Sequence, residues 1–144
     1  MTATAASGHF ELGFALVVFS GQADLKWLRI LKPGFRHCFV VIENRGRWIL
    51  YNPLSHRTEI AVLEGVTGAE LIKCYRGQGL RVVPWLLRPV CKKPAPWGLY
   101  TCVEAIKRIL GIHAHWIITP WNLYKFLINK NKKKKNLDIS KNSD

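Results

Sequence analysis

The sequence predicts an α+β domain in which a central antiparallel sheet packs against helices. Three features lead there. Short β-branched runs, FALVVF at residues 14–19, RHCFVVIE at 36–43 and RWILYN at 47–52, are bounded by turn residues, as buried strands are. Two T-x-x-E patterns, Thr67 with Glu70 and Thr101 with Glu104, each precede a helical pattern, and such boxes satisfy the first N–H groups of a helix. A chain of 144 residues, 49% of them hydrophobic, is the size of one ordinary domain with a core of its own.

Taken in order, residues 1–10 are small and polar and predict a flexible start, with the folded domain spanning 11–129. The first strand ends at Ser20-Gly21. Asp24 can cap a short helix carrying Leu25, Leu28 and Leu31, which Lys32-Pro33-Gly34 stops. The next two runs flank Asn44-Arg45-Gly46 and read as a hairpin. Residues 56–63 alternate as a third strand, and the helix opened by Thr67 runs toward Tyr75 and ends at Gly77 or Gly79. Residues 80–87 make another strand, in which Pro84 requires an edge or a bulge. Pro89, Pro94, Pro96 and Gly98 mark an irregular connector. Thr101 then caps a helix with Cys102 first, Ala105, Ile106, Ile109 and Leu110 at helical spacing, and Gly111 as stop. Residues 112–118 suggest a last strand, and Pro120 opens an amphipathic helix through about Asn129. The Asn- and Lys-rich residues 130–144 have little to bury and predict a disordered tail.

Lys and Arg number 22 against 9 acidic residues, a formal charge of +13, which raises an anionic partner. Lys130, Lys132, Lys133, Lys134, Lys135 and Lys141 concentrate much of that excess in the tail. A weak, salt-sensitive contact with an anionic polymer or a membrane surface is therefore expected there. Without interleaved aromatics or the pattern of a DNA-reading helix, no specific nucleic-acid recognition is predicted. No apolar run approaches the roughly 20 residues that cross a bilayer, and no Lys or Arg precedes the apolar run at 12–19 as in a signal peptide. The expected location is cytoplasmic or virion-associated, as a monomer. Cys38, Cys74, Cys91 and Cys102 lack C-x-x-C spacing and support neither structural zinc nor a cystine framework. His113 and His115 could share one strand face, but with no third ligand nearby no metal site is assigned.

A thiol is nucleophilic only as thiolate, and a cysteine in the first turn of a helix feels unpaired N–H groups and the positive end of the macrodipole. Cys102 has that placement, and the same N–H groups could receive an oxyanion. It needs a base. Of the five histidines, His9 lies in the flexible start, His56 in a turn, and His113 and His115 beyond the far end of the helix; His37 remains. Strand alternation places Phe35, His37, Phe39 and Val41 on one face and Cys38 on the other. Asn52, near the end of the paired hairpin strand, is the candidate to orient the imidazole. Trp97 and residue 99, Leu99, are assigned to a substrate groove; the other tryptophans are read as core or groove lining. Each residue also has a plain structural reading: free cysteines are commonly buried as small hydrophobes, and a half-buried strand histidine is commonly only hydrogen-bonded. Cys38, Cys74 and Cys91 keep that reading, and only their pairing promotes Cys102 and His37.

The order of histidine first and cysteine last, with RHCFVV, then WILYNP, then YTCVEAIKRILGI, resembles the circularly permuted branch of the papain-like NlpC superfamily, which includes relatives of lecithin–retinol acyltransferase. The resemblance covers roughly residues 15–110. The VVFSG strand and the WLRILKPGF segment are also similar to those of small bacteriophage-borne proteins. The resemblance implies a papain-like fold and a thiol hydrolase or acyltransferase acting on an amide or ester without a cofactor, with peptidoglycan peptides first and lipid acyl groups second as substrates. His37 and Cys102 fall on its motif positions; its third polar residue varies, which leaves Asn52 resting on the hairpin argument. The alternative is a basic binding or virion-associated protein that keeps the scaffold without turnover.

Overall fold

A computed structural model describes residues 13–22, 25–87 and 100–141 of the chain. The flexible start, the Asp24 cap, the proline-rich connector, Cys91, Trp97 and Leu99 lie outside the described residues. Within them the protein is α+β: five antiparallel strands in the order β4-β3-β2-β1-β5 and three α-helices. The strands are β1 (Phe14–Ser20), β2 (His37–Asn44), β3 (Arg47–Pro53), β4 (Thr58–Leu63) and β5 (Arg81–Leu86). The helices are α1 (Gly68–Gly77), α2 (Cys102–Leu110) and α3 (Pro120–Lys141).

Side-chain alternation on the central strands divides the apolar residues into two cores, one per face of the sheet. On one face Leu16, Val18, Val41 and Val82 pack with Leu71 of α1, and Trp48 closes the layer. On the other Ala15, Val17, Phe19, Cys38, Val40 and Val83 meet Val103, Ile106 and Leu110 of α2 and Leu123 and Leu127 of α3. β1 lies between β2 and β5 with both faces covered, so its run has no polar alternation until Ser20. Pro84 sits on β5, an edge strand, where its missing N–H breaks no ladder.

The β2–β3 hairpin turns through Arg45 (φ 52°) and Gly46 (φ 78°) between the paired Asn44 and Arg47. Two successive positive φ values give a turn whose twist matches the strands. The Thr67 box at α1 is complete, with Glu70 accepting from the backbone and the hydroxyl of Thr67. The Thr101 box is half formed. Thr101 Oγ1 accepts from the Glu104 N–H, but the Glu104 carboxylate turns to Lys107 (2.7 Å) and Arg108 (3.3 Å) instead of back to the cap.

Four expectations are corrected. The short helix is a 3-10 segment, Lys26–Ile30, with no buried residue, so its leucines are not core. Phe35 does not share a face with Phe39; it precedes β2 and packs in the α3 core against Phe19, Trp121 and Tyr124. Residues 112–118 form an irregular segment without a strand. The buried ammonium of Lys107 takes the Ile117 carbonyl oxygen at 3.3 Å, a backbone acceptor that a sheet ladder would otherwise use. Finally, α3 continues to Lys141 through the stretch expected to be a disordered tail. Lysine is a good helix former and neither Gly nor Pro follows Pro120, so the helix outlasts its apolar stripe, with Lys132, Lys133, Lys134 and Lys135 exposed.

The Glu104–Lys107 pair is the buried ionic contact that fastens α2 to the segment before α3. Burial alone would raise the Glu104 carboxyl, but Lys107 and Arg108 outweigh it and hold it below its ordinary value. Removing one partner leaves a buried charge, whereas replacing both with apolar groups does not. In urea unfolding, Glu104→Leu is expected to cost about 3 kcal/mol, and the double variant Glu104→Leu/Lys107→Met less than Glu104→Leu alone.

Candidate functional site

The site forms at the end of the sheet where β2 begins and α2 begins. Thr101, extended at φ −106°, caps α2 through its hydroxyl, and the first intrahelical bond runs from Ala105 N–H to the Thr101 carbonyl. In any helix the N–H groups ahead of that bond have no partner within the helix, and Cys102 is the residue that carries the first of them. Its side chain is half-buried and packs against the core that holds Cys38.

Three donors converge on the Cys102 sulfur. The Cys38 thiol hydrogen-bonds to it, the His37 ring hydrogen-bonds to it and adds a favourable charge interaction, and the Cys38 backbone N–H also reaches it. Together they outweigh desolvation and lower the Cys102 thiol to about 5, against roughly 8.5 for an ordinary cysteine. Cys38 moves the opposite way. It is fully buried, and burial first, then the neighbouring Cys102, raises its thiol well above the usual value, so it stays protonated as a donor.

His37 is held from its far side. Its Nε2 lies 2.7 Å from Asn52 Oδ1, and Asn52 Nδ2 donates to Glu59 Oε2 at 3.0 Å. The carboxylate can only accept, so it fixes which way the Asn52 amide points; the amide oxygen can only accept, so His37 Nε2 carries the hydrogen. In the neutral ring Nδ1 is then the acceptor nitrogen. Arg57 completes the series by donating to Glu59 Oε1 at 2.5 Å. Arg57 first and Asn52 second keep Glu59 below its ordinary carboxylate value, and it is anionic at neutral pH.

By alternation His37, Phe39 and Asn52 face α1 while Cys38 faces α2, and the His37 ring stacks at 6.5 Å on Phe39. His37 is the first residue of β2, so its ring sits at the strand end, where it meets a helix packed on the opposite face. The imidazole forms part of two clefts. One, of about 460 Å³, holds Cys102 and is lined by Leu25, Trp27, Leu28, Leu54 and Tyr100. The other, of about 590 Å³, opens over Asn52, Tyr75 and Gln78.

The structure thus brings together Cys102, His37 and Asn52; Tyr100, which was not among the expected site residues, borders the cleft. The Tyr100 hydroxyl lies 3.1 Å from that of Tyr51, and the Arg108 guanidinium lies over the Tyr100 ring. Trp97 is outside the described residues; Trp27, expected as core or groove lining, is 61% exposed and lines the same cleft. Two contributors were not recognised from sequence. Cys38 was given only a packing role because it alternates away from His37, yet the face it points to is the one that receives α2. Glu59 is the direct cross-strand partner of Asn52, a pairing legible only once the β3–β4 register is known. His113 and His115 do not share a strand face, and among the described residues no three His, Cys, Asp or Glu side chains group as a metal site. Among the same residues no helix is long and apolar enough to cross a membrane.

Compared with protein-family models, curated proteins and solved structures, the chain gives no match.

The Cys102 environment sets a pH dependence. Thiolate is present above about 5 and lost as pH falls through that value, so iodoacetamide labelling of Cys102, followed by peptide mass spectrometry, is expected to reach half its plateau rate near there. Removing the Cys38 thiol donor with Cys38→Ala should move that midpoint up by at least about one unit. An unmoved midpoint would show that the sulfur–sulfur contact does not stabilise the thiolate.

Proposed function

We propose that this protein is a thiol-dependent hydrolase or acyltransferase of the papain-like kind, acting on an amide or ester. The observation that carries the reading is the Cys102–His37–Asn52 series, with His37 Nε2 bonded to Asn52 at 2.7 Å and the other ring nitrogen left to serve the thiol. Nucleophile, base and orienting group then stand in the order such chemistry needs.

In this mechanism the Cys102 thiolate adds to the substrate carbonyl carbon, and N–H groups at the start of α2 receive the oxyanion. The C–N or C–O bond then breaks as His37 gives its Nδ1 proton to the leaving group. A thioester on Cys102 remains. Water, or another acceptor hydroxyl or amine, loses a proton to His37 and adds to the thioester, and cleavage of the C–S bond restores the thiolate. Asn52 holds the ring throughout and favours the imidazolium by presenting its carbonyl oxygen.

The cleft favours a substrate with an apolar part. Leu25, Trp27, Leu28 and Leu54 face it and Tyr100 borders it, which suits the acyl side of a lipid ester or an apolar residue of a peptide such as a cell-wall peptide. The exposed lysines 132–135 of α3 would add a salt-sensitive attraction to anionic surfaces or polymers bearing such substrates.

The test is covalent trapping followed by turnover. A chloromethyl ketone or an activated acyl ester should add one equivalent of mass to Cys102 in the native protein, and Cys102→Ala should abolish it while the circular dichroism spectrum is unchanged. His37→Ala is expected to slow trapping at neutral pH by about 100-fold. Equal, slow labelling of Cys102 and Cys74 would favour the non-catalytic binding protein instead.

A further inference from the structure

We infer that Glu59, held by Arg57, is a positioning residue that sets the tautomer of His37 through Asn52. The inference rests on the thiol–imidazole reading above and extends it to a residue that touches neither the sulfur nor the cleft's nucleophile.

An asparagine amide has two nearly isosteric ends, one donor and one acceptor, and nothing in its own shape decides which faces a histidine. With Oδ1 toward Nε2 the ring carries its hydrogen there, and Nδ1 is the proton-exchanging atom. With Nδ2 toward Nε2 the ring must accept at Nε2. The neutral ring then carries its hydrogen on Nδ1, and the imidazolium meets a donor where it needs an acceptor. The second arrangement disfavours the thiolate–imidazolium pair.

Glu59 removes that ambiguity. It lies directly opposite Asn52 in the β3–β4 ladder, and as an acceptor at 3.0 Å it admits only the Nδ2 end. Arg57, two residues earlier, grips the other carboxylate oxygen, so both oxygens are committed and the carboxylate cannot swing away from Asn52 without losing its cation. The groups facing the pair are otherwise Cys38 from β2, Tyr100 ahead of α2, Tyr75 from α1 across the second cleft, and His56, which acts on Glu59 from the β3–β4 turn. None of these orients Asn52. The contact series from Arg57 through Glu59, Asn52 and His37 to Cys102 thus runs from the turn before β4 to the start of α2.

The experiment follows the rate of Cys102 alkylation by iodoacetamide from pH 4 to 8 in the full chain, in two backgrounds. In the native background Glu59→Leu should raise the midpoint of the thiolate profile by about one pH unit and slow labelling below it by about tenfold. Glu59→Gln, whose single acceptor oxygen must be shared between Arg57 and Asn52, should recover only part of that loss. In the Asn52→Ala background Glu59→Leu should have no further effect, because the group it acts through is gone. An unmoved midpoint in Glu59→Leu, or an equal shift in both backgrounds, overturns the inference. A native protein whose Cys102 shows no low midpoint at all overturns instead the thiol–imidazole reading.

Discussion

The bond between His37 Nε2 and the Asn52 amide oxygen is the contact from which the rest of the site takes its chemistry. An imidazole has two nitrogens that can trade roles, and a thiol beside it gains little unless the correct one is basic. Fixing Nε2 as a donor leaves Nδ1 the basic nitrogen of the neutral ring. The cost of ordering the ring is met by the sheet, since His37, Asn52 and Glu59 stand on adjacent strands whose register is set by apolar residues further along.

On the sulfur side the problem is different. Cys102 is half-buried, and burial alone would favour the thiol. The start of α2 offers N–H groups, yet the largest influence comes from Cys38, whose own thiol is held protonated by complete burial. Two sulfurs in contact therefore behave oppositely: the one at a helix start beside an imidazole becomes the anion, and the one inside a strand becomes its donor. The same desolvation that penalises the anion strengthens each hydrogen bond to it.

The two halves of the site come from opposite faces of the sheet, which constrains the fold around them. α2 must start beside the first residue of β2, and its buried Val103, Ile106 and Leu110 fix its axis on the core. The Lys107 ammonium ties that helix to the chain leading into α3. Meanwhile α1 covers the face on which His37 and Asn52 lie and, with Tyr75, walls the second cleft. A shift of α2 would separate sulfur from ring without breaking any bond within the strands that carry His37 and Asn52.

Much of this was legible in the residues themselves. β-branched runs between turn residues mark β1, β2 and β3, the Thr67 and Thr101 boxes mark where α1 and α2 begin, and Pro84 marks an edge, because each rests on backbone sterics or hydrogen bonding within a few positions of chain. Cys102 at a helix start and His37 at a strand start follow from the same local rules. What the tertiary structure decided is everything that depends on register and facing: that Glu59 stands opposite Asn52, that Cys38 points at Cys102, that residues 112–118 serve Lys107 and form no strand, and that α3 outruns its apolar stripe. Local rules say which way a side chain points from its own backbone, whereas only the packed cores determine what it meets there.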